Sequence, residues 1–156
     1  MSVPVYKTLK QCDHIATKRY YMKNPLLPFW HHGVYIGNGK VVHYGVDDED
    51  KMPIKIQIVS LNTFCKGNLE NLKVIKHKRV VKKACMKRVE QSLNKGLGKY
   101  HFYYYNCEHY ANWVINGKPY SAQSKVLHKS KRKFEKYMMR NQLDALMNEM
   151  KQSREV

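Results

Sequence analysis

The sequence predicts an α+β domain: a series of short strands followed by two helices. Three observations predict it. Ile54, Ile56 and Ile58 alternate with polar residues, as on a half-buried strand. An Asn-Gly step joins two β-branched segments, the strongest short-range signal for a hairpin. From about Val81 onward the apolar spacing changes to the three-and-four period of an amphipathic helix.

In chain order, His14-Ile15-Ala16-Thr17 is the first expected strand. His32-Gly33-Val34-Tyr35-Ile36 is the second, and it runs through Gly37-Asn38-Gly39 into Lys40-Val41-Val42-His43-Tyr44. Asp47-Asp48-Glu49-Asp50 is an acidic loop. Ile54, Ile56 and Ile58 alternate with polar residues as a further strand, and Leu72-Lys73-Val74-Ile75 is a fifth. The spacing of Ala84, Cys85, Met86, Val89 and Leu93 predicts a helix over 81–93 that buries these residues, stopped by Gly96-Leu97-Gly98. A second helix is expected to open at Cys107 with Asn106 as its cap. Tyr110, Ala111, Val114 and Trp113 form its expected apolar face, and Asn116-Gly117-Lys118-Pro119 ends it.

The domain is expected over residues 10–122, followed by a basic extension over 123–156. In the extension, Lys129, Lys131, Arg132, Lys133 and Lys136 lead into Phe134, Met138, Leu143, Leu146, Met147 and Met150 at roughly helical spacing. A basic amphipathic helix of this kind suits an anionic membrane surface or a partner groove, and it also suits a helix packed back on its own core.

The 156 residues carry 29 Lys+Arg against 12 Asp+Glu, a net charge of +17. That excess attracts polyanions, either an acidic membrane face or nucleic acid, and does not choose between them. Cys12, Cys65, Cys85 and Cys107 form no CxxC pair and no zinc-finger spacing, so they are expected to be reduced thiols, with no metal site. The N-terminal residues have no apolar signal segment, and no apolar run approaches the ~20 residues of a membrane span. A cytoplasmic protein, with a peripheral membrane contact through Lys129–Met150, is the resulting expectation.

Chemistry is expected at Cys107, His31 and His43. A thiol at a helix N-terminus sits among unpaired N–H groups, where its pKa is expected to fall. The separation of the two histidines, 43 − 31 = 12, fits two residues facing each other across the hairpin. One imidazole then takes the thiol proton and the other orients it. The same residues also fit a buried, inert cysteine and a pair of strand histidines. His32 must point to the opposite face of its strand from His31, so only one of the two can address the thiol. His109 lies about 200° round the helix from Cys107. His14, His77, His101 and His128 are expected at the surface or in packing, and Cys12, Cys65 and Cys85 in structural roles.

Asn106-Cys107-Glu108-His109-Tyr110 resembles the Asn-Cys-Glu-His-Phe motif of the lecithin:retinol acyltransferase-like family of the NlpC/P60 superfamily. The segment His31 to His43 resembles that family's H-box, His-Trp-Gly-Ile-Tyr-Val-Gly running on to Val-Ile-His. Asp13-His14-Ile15, Ala84, Leu97-Gly98 and Tyr100 also sit where the family has comparable residues, so the resemblance spans roughly residues 12 to 123. It implies a circularly permuted papain-like domain, an antiparallel sheet packed against helices. It further implies Cys107 as nucleophile, His31 as general base and His43 as the orienting third member. The implied chemistry is acyl transfer from phospholipid through an acyl-cysteine, to water or to an amine or alcohol, with no metal or organic cofactor. Two departures stand out: His32 replaces the family's Trp, and Tyr110 its Phe. The alternatives are a non-catalytic regulatory or binding protein of the picornaviral 2A type and a thiol amidase or peptidase.

Overall fold

Asn38 and Gly39 both take positive φ, +51° and +70°. That backbone matches the right-handed twist of the strands on either side and lets a two-residue loop close the hairpin. The computed structural model describes residues 2–20, 25–26, 28–45, 55–95, 106–122 and 147. Within them the hairpin strands are β2 (Pro28–Gly37) and β3 (Lys40–Gly45). They stand at the centre of a sheet completed by β1 (Asp13–Tyr20), β4 (Lys55–Ser60) and β5 (Leu72–Ile75). The order is β4-β3-β2-β1-β5, and every neighbouring pair is antiparallel. The chain passes from one edge of the sheet to the other through a four-residue helix α1 (Leu61–Phe64), capped by the Ser60 hydroxyl, and a 3-10 turn (Leu69–Asn71).

Two longer helices follow, α2 (Lys82–Lys95) and α3 (Cys107–Asn116). Side chains alternate across each strand, so the sheet has two distinct cores. On one face Val34, Val42 and Tyr44 pack against Cys85 and Val89 of α2 and Tyr110, Ala111, Val114 and Ile115 of α3. On the other, Ile15, Val41 and Val59 pack against Phe64, Cys65 and Leu72. Each Val, Leu, Ile or Phe side chain among them, once buried, contributes about 1.5–3 kcal/mol of hydrophobic stabilisation. The result is the α+β fold expected, consistent with the papain-like arrangement that the resemblance implies.

Two details differ from expectation. The helix predicted over 81–93 runs from Lys82 to Lys95, and Leu93 is 41% exposed, outside the core. Ser92 is buried in its place: its hydroxyl donates to the Val89 carbonyl and pairs with the buried Tyr110 phenol, each at 2.8 Å. The acidic loop at 47–50, Ile54 and the glycine stop at 96–98 lie outside the described residues.

The chain divides into two compact units, Met1–Ser121 and Ala122–Val156. The basic amphipathic helix expected over Lys129–Met150 lies outside the described residues, apart from Met147, which is helical and 49% exposed.

Candidate active site

The α3 helix begins with a reciprocal cap. The Asn106 side-chain oxygen accepts from the backbone N–H of Glu108 at 3.0 Å and of His109 at 3.1 Å, and His109 Nδ1 accepts from the Asn106 N–H at 3.2 Å. Asn is a preferred cap because its short side chain reaches the second and third helical amides. The other end stops at Gly117, whose φ of +78° costs glycine little. His109 is thereby a capping residue, in keeping with its position away from the thiol.

Cys107 is the first helical residue and is 3% exposed. Contrary to the expectation from its helix terminus, its pKa is pushed up to about 11. Burial is the main cause, and the neighbouring Glu108 carboxylate adds to it. Backbone N–H groups of His32 and Glu108 and the charge of Arg19 act in the opposite direction and are outweighed. The thiol therefore lies beside the backbone of β2 at the His31–His32 step. Among the described residues, no hydrogen bond joins it to an imidazole.

The two hairpin histidines meet. His31 Nε2 lies 2.8 Å from His43 Nδ1, with the rings edge to face at 5.0 Å between centroids. They are not opposite in the ladder, as the spacing suggested. His43 pairs with Gly33, and a bulge at Ile36 shifts the register next to the turn. His31 and His43 are diagonal neighbours on one face, and they touch because Gly45 leaves room. A Cβ at Gly45 would stand 2.8 Å from His31 Cε1 and 3.2 Å from His43 Nδ1. Phe64 closes the pocket, its ring 5.4 Å from His31 and 5.7 Å from His43. Burial holds the His31 pKa well below the ordinary value, helped by the charges of Arg19 and His43. His31 is thus a neutral imidazole whose Nε2 is engaged by His43 Nδ1.

Arg19 was not legible as a site residue. It is 6% exposed, its Nη2 donates to the Phe64 carbonyl at 2.9 Å, and its guanidinium lies over the Phe64 ring. Its charge acts on both His31 and Cys107.

The opposite face of β2 holds a second histidine system that the sequence did not suggest. His14, expected at the surface or in simple packing, is 2% exposed and bonded at both ring nitrogens. Its Nδ1 lies 2.8 Å from His77 Nε2 and its Nε2 lies 2.7 Å from His32 Nδ1. His32 Nε2 in turn faces Glu108 Oε2 at 3.9 Å. Glu108 is buried and accepts from the Ser121 hydroxyl at 2.8 Å. The register explains the meeting: His14 pairs with Val34, which makes His32 its diagonal neighbour on the same face.

The remaining cysteines, Cys12, Cys65 and Cys85, are free and buried, and burial pushes the Cys65 and Cys85 thiols up. Among the described residues no cluster of three or more His, Cys, Asp or Glu side chains is placed to hold a metal, and no helix is long and apolar enough to cross a membrane. The family model described as lecithin retinol acyltransferase matches residues 7–120. No curated protein matches the chain.

Proposed function

Because the chain belongs to the lecithin retinol acyltransferase family, we propose that it is a thiol acyltransferase or phospholipase A1/2-type hydrolase acting on phospholipid acyl esters through an acyl-Cys107 intermediate. Membership in the family supports acyltransferase or phospholipase chemistry in general. Two observations support the assignment of residues: His31 is a neutral imidazole held 2.8 Å from His43, and the backbone N–H of the next residue, His32, meets the Cys107 thiol.

In this reading His31 is the general base. With its Nε2–H donated to His43 Nδ1, His31 Nδ1 takes the thiol proton. The thiol pKa of about 11 means that this transfer accompanies attack on the ester carbonyl and does not precede it. Sulfur bonds to the acyl carbon, the lysophospholipid oxygen leaves with the proton, and the acyl group rests on Cys107. His31 then removes a proton from water, or from an amine or alcohol, which attacks the thioester and frees the thiol. His43 orients the ring and stabilises its charged form. No cofactor is required by these steps.

The net charge of +17 supports delivery to an anionic membrane surface, with Lys129–Met150 as the proposed contact, from a cytoplasmic location. A nucleic-acid partner has only the same charge in its favour. The raised Cys107 pKa and the lack of a thiol–imidazole hydrogen bond among the described residues favour a second reading, a non-catalytic binding module on the same fold.

Incubation with vesicles of phosphatidylcholine and phosphatidylethanolamine separates the two. The enzyme reading expects lysophospholipid with free fatty acid or N-acylated phosphatidylethanolamine, abolished in Cys107→Ala and in His31→Gln. A folded protein that yields none of these products, and binds its vesicles equally well as Cys107→Ala, supports the binding module.

A further inference from the structure

His77, His14 and His32 form an unbroken series of ring contacts, at 2.8 and 2.7 Å, that ends 3.9 Å from the Glu108 carboxylate. None of them belongs to the base pair proposed above. The outer member, His77, is half-buried and lines, with His14, Lys10, Lys73 and Lys76, a cavity of about 620 Å³ beside β5. The inner end is one residue from Cys107. We propose that His77, His14 and His32 are a proton relay between this cavity and Glu108.

The hydrogen bonds fix how it works. A neutral imidazole has one donor and one acceptor nitrogen, so a chain of three needs all its tautomers in one sense. With the Glu108 carboxylate accepting at the inner end, each ring is Nε2–H: His77 donates to His14 Nδ1, His14 to His32 Nδ1, and His32 towards Glu108. The last gap of 3.9 Å is a distance that one bridging water or a turn of the Glu108 carboxyl closes. A proton arriving from water in the cavity binds His77 Nδ1. The Nε2 protons then shift one partner inward, and the last reaches Glu108 Oε2. The three rings end as Nδ1–H, and transfer in the opposite direction restores them. One proton enters, one carboxylate is neutralised, and no other bond changes.

The surroundings favour such transfer without a resting imidazolium. Burial is the main reason that the His14 pKa lies at about 2 and the His32 pKa at about 4, and that of His77 is lowered too. Lys73, which lies over the Trp30 ring from β5, opposes a positive charge on both His14 and His32, whereas Glu108 on α3 favours one on His32. Neutralising Glu108 removes a charge that raises the Cys107 pKa, so the relay sets the field at the thiol. This last consequence rests on Cys107 being the nucleophile. The relay itself does not.

Imidazole nitrogen NMR of the full chain at neutral pH, without substrate, tests it. All three rings are expected as neutral Nε2–H tautomers, with nitrogen–nitrogen couplings from His77 to His14 and from His14 to His32. Exchange of the His32 Nε2 proton with water is expected to slow at least about tenfold in His77→Phe, because exchange then waits for local opening. The same slowing is expected in His77→Gln, which keeps a donor towards His14 and cannot pass a proton on. Unchanged exchange in both folded variants, or a His14 ring in the Nδ1–H form beside an ionised Glu108, overturns the relay. Neither result depends on lipid turnover, so failure here is distinguishable from failure of the acyl-transfer reading.

Discussion

His31 and His43 touch at 2.8 Å although their strands do not place them opposite each other. The contact depends on the space at Gly45, whose backbone is not left-handed, so that the side chain alone decides the effect of a substitution. Gly45→Ala is expected to separate the rings and to cost about 1–3 kcal/mol through overpacking. Urea denaturation measures the cost, and imidazole NMR measures the loss of the His31–His43 hydrogen bond. Wild-type stability with an intact hydrogen bond would show that Phe64 and the strands give way more easily than the distances imply.

Cys107 should behave as an unusually protonated thiol. Raised from 9.0 to about 11, it carries about a hundredfold less thiolate at neutral pH than an ordinary cysteine, each pKa unit being a factor of ten. Alkylation of the native protein is expected to rise steeply into strongly alkaline solution, and in denaturant to follow an ordinary thiol. Rapid native labelling near neutrality would mean that the helix terminus and Arg19 outweigh burial after all.

Acid should destabilise the fold early. His14 and His32 have folded pKa values of about 2 and about 4, and that of His31 is also far below the unfolded 6.5. The unfolded chain therefore binds more protons below 6.5. The stabilisation is complete above that pH and is lost as pH falls, by on the order of 1.4 kcal/mol per pH unit for each imidazole. Urea midpoints at pH 7.5, 6 and 5 are expected to fall progressively. A flat series contradicts the buried neutral state of these rings.

The Asn106 cap is the local device that seats Cys107. Asn106→Ala removes the acceptor of two helical amides and is expected to cost about 1 kcal/mol, while Asn106→Asp retains most of the stability. Faster alkylation of Cys107 in the alanine variant, at unchanged pH, is expected as the first turn of α3 frays. Equal stability of the two variants would place the ordering of that turn elsewhere, in the Ser121–Glu108 contact for example.

The local signals proved readable where one segment determines its own structure. The Asn38-Gly39 turn, the Asn106 cap and the period of α3 all follow from short-range chemistry. What depended on pairing between distant segments did not. The Asn24-Pro25 step between β1 and β2 signals a turn but does not set the register of the strands it joins, so the pairing of His14 with Val34 was hidden, and with it the contact to His32. The His31–His43 contact was anticipated with the wrong geometry, because the Ile36 bulge and the Gly45 gap are properties of the folded sheet. The rise in the Cys107 pKa came from burial beneath neighbouring elements, which a helix terminus read in isolation cannot reveal.

The most direct test of the account is the mass of the intact protein during reaction with phospholipid vesicles. A fatty-acyl adduct on wild-type protein, mapped to Cys107 and absent in Cys107→Ala, is the predicted result. Phospholipid turnover that persists in Cys107→Ala would contradict the acyl-cysteine mechanism.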